Sequence, residues 1–342
     1  MDEAWTRPWP EAELEAVPRC PVCRGEEREL LHDGLADLAF GVAPGRWTMW
    51  RCGGCGSGYL DPRPAPSHIA RAYSRYYTHA PQRRLPAYAE LGWVGRARRR
   101  LVNGYLNARF GFHRTPAWRF GGPIYRLFPS HRLAVEHGRR YLPPLPPGGG
   151  RLLDVGSGNG AFLALAGEMG WSAEGIEPDP AAAALARAQG LTVREGGMAS
   201  LAEETARFDA ITLNHVIEHV PAPRADLALC LALLEPGGML YIETPNVEAA
   251  GHARWGPYWR GLEPPRHLQL FSRRGLRALL AELGFTAVRD LAQPNPRGWL
   301  DETSATMMRR AGAIPAGPTI RPSARPSPDD REYLCIAALR PG

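Results

Sequence analysis

The sequence predicts an α/β protein: an open, largely parallel sheet interleaved with helices, preceded by a small cysteine-stapled module. Three observations predict it. Residues 151–161, RLLDVGSGNGA, read as a buried strand, a glycine-rich turn and a helix start, and Glu177 in GIEPDP ends a second strand seventeen residues after Gly160. Further on, strand-like and helical runs alternate: PAAAALARAQ (180–189), FDAITLN (208–214), Pro221 to Leu234, then LEPGGMLYIETPN (234–246). Upstream, Cys20-Pro-Val-Cys23 and Cys52-Gly-Gly-Cys55 are two CxxC pairs separated by twenty-eight residues.

The turn carries the first functional expectation. A strand, a glycine turn and a helix build a nucleotide-type pocket at the carboxyl ends of parallel strands. Side chains at Gly156, Gly158 and Gly160 would keep the backbone from closing on a ligand. Ser157 lies in the same turn, and Glu177, followed by Pro178, offers two acceptor oxygens to the hydroxyls of a ribose. The ligand expected is an adenosine-containing cofactor. Its glycines are not spaced G-x-G-x-x-G, and Asp154, two residues before the first, would repel a diphosphate. That acid suits an ammonium group and a sulfonium centre instead.

At these residues the chain resembles the class I S-adenosylmethionine-dependent methyltransferases, in particular those acting on small molecules. The resemblance implies a seven-stranded Rossmann-like sheet. FDAITLNHVIEHV (208–220) is similar to the fourth strand and the turn beneath the transferred methyl group, and places Asn214 and His215 beside the cofactor. LEPGGMLYIETPN, EPPRHLQLF (263–271), LLAELGF (279–285) and a final strand EYLCIAALR (332–340) follow in the order that relatives show. The resemblance covers roughly 151–290 plus that strand. One departure is Gly197, where relatives often carry an acid for the adenine amino group; the backbone near Met198 is expected to serve instead.

Four thiolates in two close pairs make the sulfur cage that zinc prefers, so Cys20, Cys23, Cys52 and Cys55 are read as a structural zinc ribbon. Gly53, Gly54 and Gly56 allow the tight second turn; Cys230 and Cys335 sit in apolar runs and are expected in the core. Met1 to Asp61 is the ribbon, residues 62–142 a mostly helical cap, and residues 151–342 the catalytic domain, with PPLPPGGG (143–150) as boundary. GYLDPRPAPSHIARAYSRYY, after the second pair, resembles the linker of zinc-ribbon methyltransferases of biosynthetic clusters, whose N-terminal part shapes the substrate pocket. Residues 293–330 are a proline- and arginine-rich insertion between two antiparallel strands, read as a lid, a partner arm or a disordered segment.

Composition bounds the partners. The net charge is +6, and every basic residue is arginine. Between Arg63 and Arg140 sixteen arginines face two acids, Glu90 and Glu136, with aromatics interleaved. Such a stretch suits a phosphate-bearing substrate, nucleic acid or an anionic membrane face, or else a solvated cap with an aromatic core. No apolar run approaches a membrane span, and the acidic N-terminus is unlike a signal peptide, so a cytoplasmic location is expected.

Methyl transfer from a sulfonium asks the protein to align donor and acceptor and to take a proton. His215, Glu218 and His219 stand together; were residues 214–220 helical, both histidines would share a face. His219 or His267 is read as general base, with Glu218 orienting the pocket. The alternative is a divalent cation held by this cluster, as in ubiquinone-pathway O-methyltransferases and small-RNA terminal methyltransferases, which show an E-x-x-E-H pattern; this chain has His215 in place of the first acid. Arg266 is expected either to clamp a carboxylate or phosphate or to pair with Glu263 or Glu243. Trp255, Tyr258 and Trp259 offer an aromatic wall or ordinary packing. The reading is O-methylation of a small-molecule intermediate, with RNA methylation, a cofactor-binding interaction protein and a nicotinamide oxidoreductase as alternatives.

Overall fold

The computed structural model describes residues 4–73, 88–125, 127–294, 296–313 and 331–342. The main sheet has seven strands. In chain order they are β6 (Arg151–Val155), β7 (Ser172–Glu177), β8 (Thr192–Glu195), β9 (Phe208–Asn214), β10 (Leu234–Pro245), β12 (Thr286–Asp290) and β13 (Tyr333–Leu339). Their order across the sheet is β12-β13-β10-β9-β6-β7-β8, with β13 antiparallel to both neighbours and the other pairs parallel. The chain runs outward from β6 to β7 and β8, then returns to β9. The winding therefore reverses between β6 and β9, the place where doubly wound sheets open a crevice.

Strand alternation divides the core. Leu153, Ile211 and Ile242 point to one face, against α6 (Pro223–Leu233) and α8 (Arg273–Glu282). Leu152, Ala210 and Tyr241 point to the other, against α4 (Ala161–Glu168), α5 (Pro180–Ala188) and α1 (Trp93–Phe110). Asp154, Thr212 and Glu243 have the parity of this second face. Short helices α2 (Gly121–Tyr125) and α3 (Pro129–His137) carry the chain from α1 toward them. The cap buries Tyr105, Leu106, Phe110 and Tyr125 in the second core, while most of its described arginines are exposed.

The ribbon consists of β2 (Arg28–Leu35), β3 (Trp47–Cys52) and β4 (Gly58–Leu60), with β1 (Leu14–Glu15) paired to β5 (Arg63–Pro64). Its sheet is completed by β11 (Gln269–Leu270), which comes from the C-terminal half and pairs with β4. Cys20, Cys52 and Tyr59 belong to the same packed core as the β6 and β9 side chains. The ribbon thus shares its core and a strand pairing with the body that carries the main sheet.

Two expectations change here. Residues 215–220 form a bend and a turn, not a helix; His215 takes φ +56° and its amide bonds to the Glu243 carbonyl, which turns the chain away from β9 at once. Within the insertion, residues 297–310 form helix α9 (Arg297–Arg310), docked beside α7 (Ala250–Trp255). Leu300, Ser304 and Met307 are buried, and Ser304 Oγ accepts from the Arg260 amide, so this part is packed structure. Residues 314–330 lie outside the described residues.

Candidate active site and metal centre

The glycine turn joins β6 to α4. Gly156, Gly158 and Gly160 have φ +67°, +54° and +82°, backbone that side chains resist. A Cβ on Gly156 would stand 2.5 Å from Val216, and one on Gly160 2.3 Å from Leu191, so the turn is also closed by its own neighbours. Glu177 is buried at the end of β7 and accepts from the Gly158 amide at 2.7 Å and the Asp179 amide at 3.0 Å. Burial raises its pKa against the pull of those two amides. Pro178 is exposed and Met198 buried, and Asn214 ends β9 opposite Glu243.

Asp154 and Thr212 are register partners across the point where the winding reverses. Asp154 is fully buried, which raises its pKa despite the opposing charge of Arg140. The Arg140 guanidinium bonds to Asp154 Oδ1, donates to Thr212 Oγ1 at 2.7 Å and lies 3.7 Å over the Phe162 ring. The chain's own cation therefore occupies the acid read as the ammonium site. Asp154 Oδ2 and Ser157 Oγ remain buried without a hydrogen-bond partner. These two atoms fit a polar donor entering beside the turn, where Asp154, Ser157 and Glu177 would hold it.

Beyond Asn214 a charged network surrounds the end of β9. His215 Nδ1 lies 3.4 Å from Glu218 Oε1, and its Nε2 lies 3.6 Å from Glu243 Oε1. Burial would lower its pKa, but the two carboxylates outweigh it and hold the imidazole up to about 10. The paired carboxylates thus favour the imidazolium form of His215. Glu243 also accepts from Tyr241 at 2.6 Å and meets His137 Nε2 at 2.7 Å. Burial would raise its pKa, yet His137 and His215 hold it well below the usual carboxylate range.

His219 and His267 lie edge to face at 4.7 Å. His219 Nδ1 is shared by the Tyr73 hydroxyl at 2.9 Å and the Arg266 carbonyl at 3.0 Å. His267 donates from Nδ1 to the Gly261 carbonyl at 2.7 Å, and burial lowers its pKa to about 4. Glu218, fully buried, accepts from Thr244 at 2.9 Å. Ligand atoms of Glu218, His219 and His267 fall within 4.8 Å of one another, a spacing open to a divalent cation; His215 is not in that trio.

Arg266 is no substrate clamp. It is fully buried, with Nε on Glu263 at 2.9 Å, Nη2 on Asp37 at 2.5 Å and Nη1 on the Ala72 carbonyl at 2.9 Å. The predicted aromatic wall is packing too. Trp259 is buried, stacked on His252 and bonded to Glu332, and Trp255 bonds to Asp301.

The four ribbon cysteines converge. Their sulfurs all lie within 4.8 Å, with Cys20 and Cys55 3.7 Å apart and Cys23 and Cys52 3.4 Å apart. Zinc–sulfur bonds of about 2.3 Å at tetrahedral angles require sulfurs about 3.8 Å apart, so the cage fits a zinc ion. Matching knuckle bonds, Arg24 amide to Cys20 carbonyl and Gly56 amide to Cys52 carbonyl, fold both pairs alike. Cys230 and Cys335 are buried.

Sequence reasoning missed His137, Arg140, Asp37, Tyr73 and the role of Glu243. One signal was present: Glu243 is an acid inside the apolar run LYIETP of a strand buried on both faces, where an unpaired charge is costly. The others sit in ordinary polar surroundings and matter only through distant partners.

The strand order, the glycine turn and its acid are the arrangement expected from the resemblance to class I S-adenosylmethionine-dependent methyltransferases. Residues 128–290 match the family model described as "Methyltransferase domain". The ubiquinone biosynthesis O-methyltransferase of Xanthomonas axonopodis pv. citri (strain 306) is 36% identical over 143 residues, which are 40% of this chain and 59% of that protein. The enzyme of the same name from Cereibacter sphaeroides (strain ATCC 17025 / ATH 2.4.3) is 33% identical over 136 residues, 36% of this chain and 55% of that protein. The chain thus spans little more than half the length of these relatives. A solved S-adenosylmethionine-dependent methyltransferase from Archaeoglobus fulgidus has 19% identity and a TM-score of 0.42, covering 63% of this chain and 94% of that one. Among the described residues no helix is long and apolar enough to cross a membrane.

Proposed function

We propose that this chain transfers the methyl group of S-adenosylmethionine to an oxygen atom of a small-molecule biosynthetic intermediate, by in-line displacement. The observation that carries the reading lies at the reversal point: two unsatisfied buried oxygens, Asp154 Oδ2 and Ser157 Oγ, beside a turn latched to Glu177. Oxygen as acceptor is supported by the curated relatives, which are named O-methyltransferases. Bound there, S-adenosylmethionine supplies a methyl group on a positively charged sulfur. The protein's part is alignment, exclusion of water and removal of the acceptor's proton.

The division of labour follows the chain. In this reading residues 1–61 are the zinc ribbon and 62–142 the cap, and their described residues reach the carboxyl-end residues Asp154, His219 and Glu243 of the 151–342 domain. Zinc on Cys20, Cys23, Cys52 and Cys55 is structural, and the site of action is the cytoplasm.

Calorimetric titration of the purified chain tests the reading. S-adenosylmethionine and S-adenosylhomocysteine are expected to bind with micromolar Kd, and Glu177→Ala to lose both. Binding of NAD with no response to S-adenosylhomocysteine would overturn it.

A further inference from the structure

Resting on the methyltransferase reading, we propose that His137 takes the proton of the acceptor hydroxyl, with Glu243 as its positioning residue. Three other histidines surround the end of β9, and none of them has a carboxylate within hydrogen-bond distance at one ring nitrogen and the other nitrogen open. Both nitrogens of His215 face carboxylates; His219 Nδ1 is held by Tyr73 and the Arg266 carbonyl; His267 is buried with Nδ1 on Gly261. His137 differs. It ends α3, which crosses the carboxyl ends of the strands, and its side chain is 24% exposed. Nε2 meets Glu243 Oε2 at 2.7 Å, while Nδ1 has no partner among the described residues. A carboxylate on one nitrogen fixes the ring and the tautomer, leaving the other nitrogen as acceptor, the division of labour in histidine-based proton transfer.

The surroundings agree. Glu243 and Tyr241 come from β10, Cys335 from β13, His215 stands beyond Glu243, and Glu136, Arg139 and Arg140 share His137's own segment. Glu136 is turned to the Tyr105 hydroxyl, Arg139 to the Val135 carbonyl and Arg140 to Asp154. Cys335 donates its thiol hydrogen to Tyr241, and burial pushes that thiol's pKa up, so it stays neutral. Glu243 is thus the anion that meets His137 at Nε2. Only two residues separate His137 from Arg140, so one segment reaches both Glu243 and Asp154.

In the step, the acceptor oxygen forms a bond to the methyl carbon as the carbon–sulfur bond breaks. Its electron pair stays on sulfur, giving a neutral thioether. The hydroxyl proton passes to His137 Nδ1, and Glu243 balances the imidazolium through Nε2.

The test uses the full chain, with His137→Gln and His137→Gly, in two arms. Diethyl pyrocarbonate with peptide mass spectrometry reads free neutral imidazole without needing any acceptor. His137 is expected to react at least tenfold faster than His215 and His267; a rate no faster than theirs overturns the proposal. Methylation of the phenolic probe 4-nitrocatechol reads the chemistry. With turnover by the wild type, His137→Gln is expected to lose about 10²- to 10⁴-fold in kcat. The acid limb of its pH profile should vanish, and imidazole should restore His137→Gly. A kcat within threefold of wild type overturns the proposal. If the wild type leaves this probe untouched, the first arm decides. S-adenosylhomocysteine binding in both variants separates this from the earlier reading: binding absent from the wild type sinks the methyltransferase proposal, while binding retained by the variants confines any loss to the proton step.

Discussion

Two N-terminal regions cover the same end of the catalytic sheet by opposite means. The ribbon side is joined through backbone: β11 adds to its sheet, Ser272 Oγ donates to the Cys55 carbonyl, and Arg266 is locked between Asp37 and Glu263 with no exposed surface. The strap of residues 129–142 is joined through single side chains, His137 on Glu243 and Arg140 on Asp154 and Thr212. Its backbone at Arg140 and Tyr141 takes φ +50° and +51°, a conformation that stores strain in non-glycine residues. One region is continuous with the core. The other can exchange its contacts for those of a ligand, because no backbone ladder has to break. The difference assigns stability to the first and ligand response to the second.

The largest expected effect breaks the ribbon side. Stripping metal with a tight chelator, or Cys52→Ser, should unfold the ribbon and loosen 268–272, since zinc binding in such modules is worth about 10 kcal/mol or more. Loss of cooperative melting and of donor binding together is expected. An unchanged Tm in metal-free protein would show that the cage is not a zinc site.

Next comes the buried ion pair. Asp37→Ala leaves the Arg266 guanidinium short of its partner at full burial and should cost about 3–5 kcal/mol in urea unfolding. A cost under 1 kcal/mol would mean that the pair is relaxed or hydrated.

On the strap side the prediction changes kind. Arg140→Ala should leave Tm within a few degrees of the wild type yet bind S-adenosylhomocysteine about tenfold tighter, because a charge-assisted hydrogen bond worth about 1.5–3 kcal/mol no longer has to be displaced from Asp154. Weaker binding would instead show the guanidinium to be part of the donor site.

The smallest effect is a pH dependence. His215, raised to about 10 in the folded chain, contributes stability that is complete below its unfolded value of about 6.5 and lost as pH rises through about 10. The difference in Tm between wild type and His215→Gln should therefore shrink between pH 7 and pH 10. A constant difference across that range would deny the imidazolium.

How far the sequence could be read follows the range of the interactions. Asp154, the three glycines and Glu177 act within one strand–turn–helix unit and its next strand, so spacing alone marked them. The cysteine pairs each fold a local knuckle. Arg266 shows the opposite case: beside Glu263 and a predicted opening it reads equally as a clamp or a partner, and a residue 229 positions away, Asp37, settles it. His215 was legible as a site residue but not as a cation, since its charge depends on Glu243 from another strand. His137 had no local mark at all.

By itself, then, the sequence determined what short-range chemistry determines: the alternation that makes a parallel sheet, the glycine turn latched to Glu177 and the thiol pairs that suit zinc. Tertiary structure decided which carboxylates meet which bases. It placed α3 over Glu243, set Arg140 on Asp154, and lent β11 to the ribbon. The physical reason is that burial and pairing of charge depend on neighbours brought together by folding, and their separations in sequence carry no pattern from which those meetings can be read.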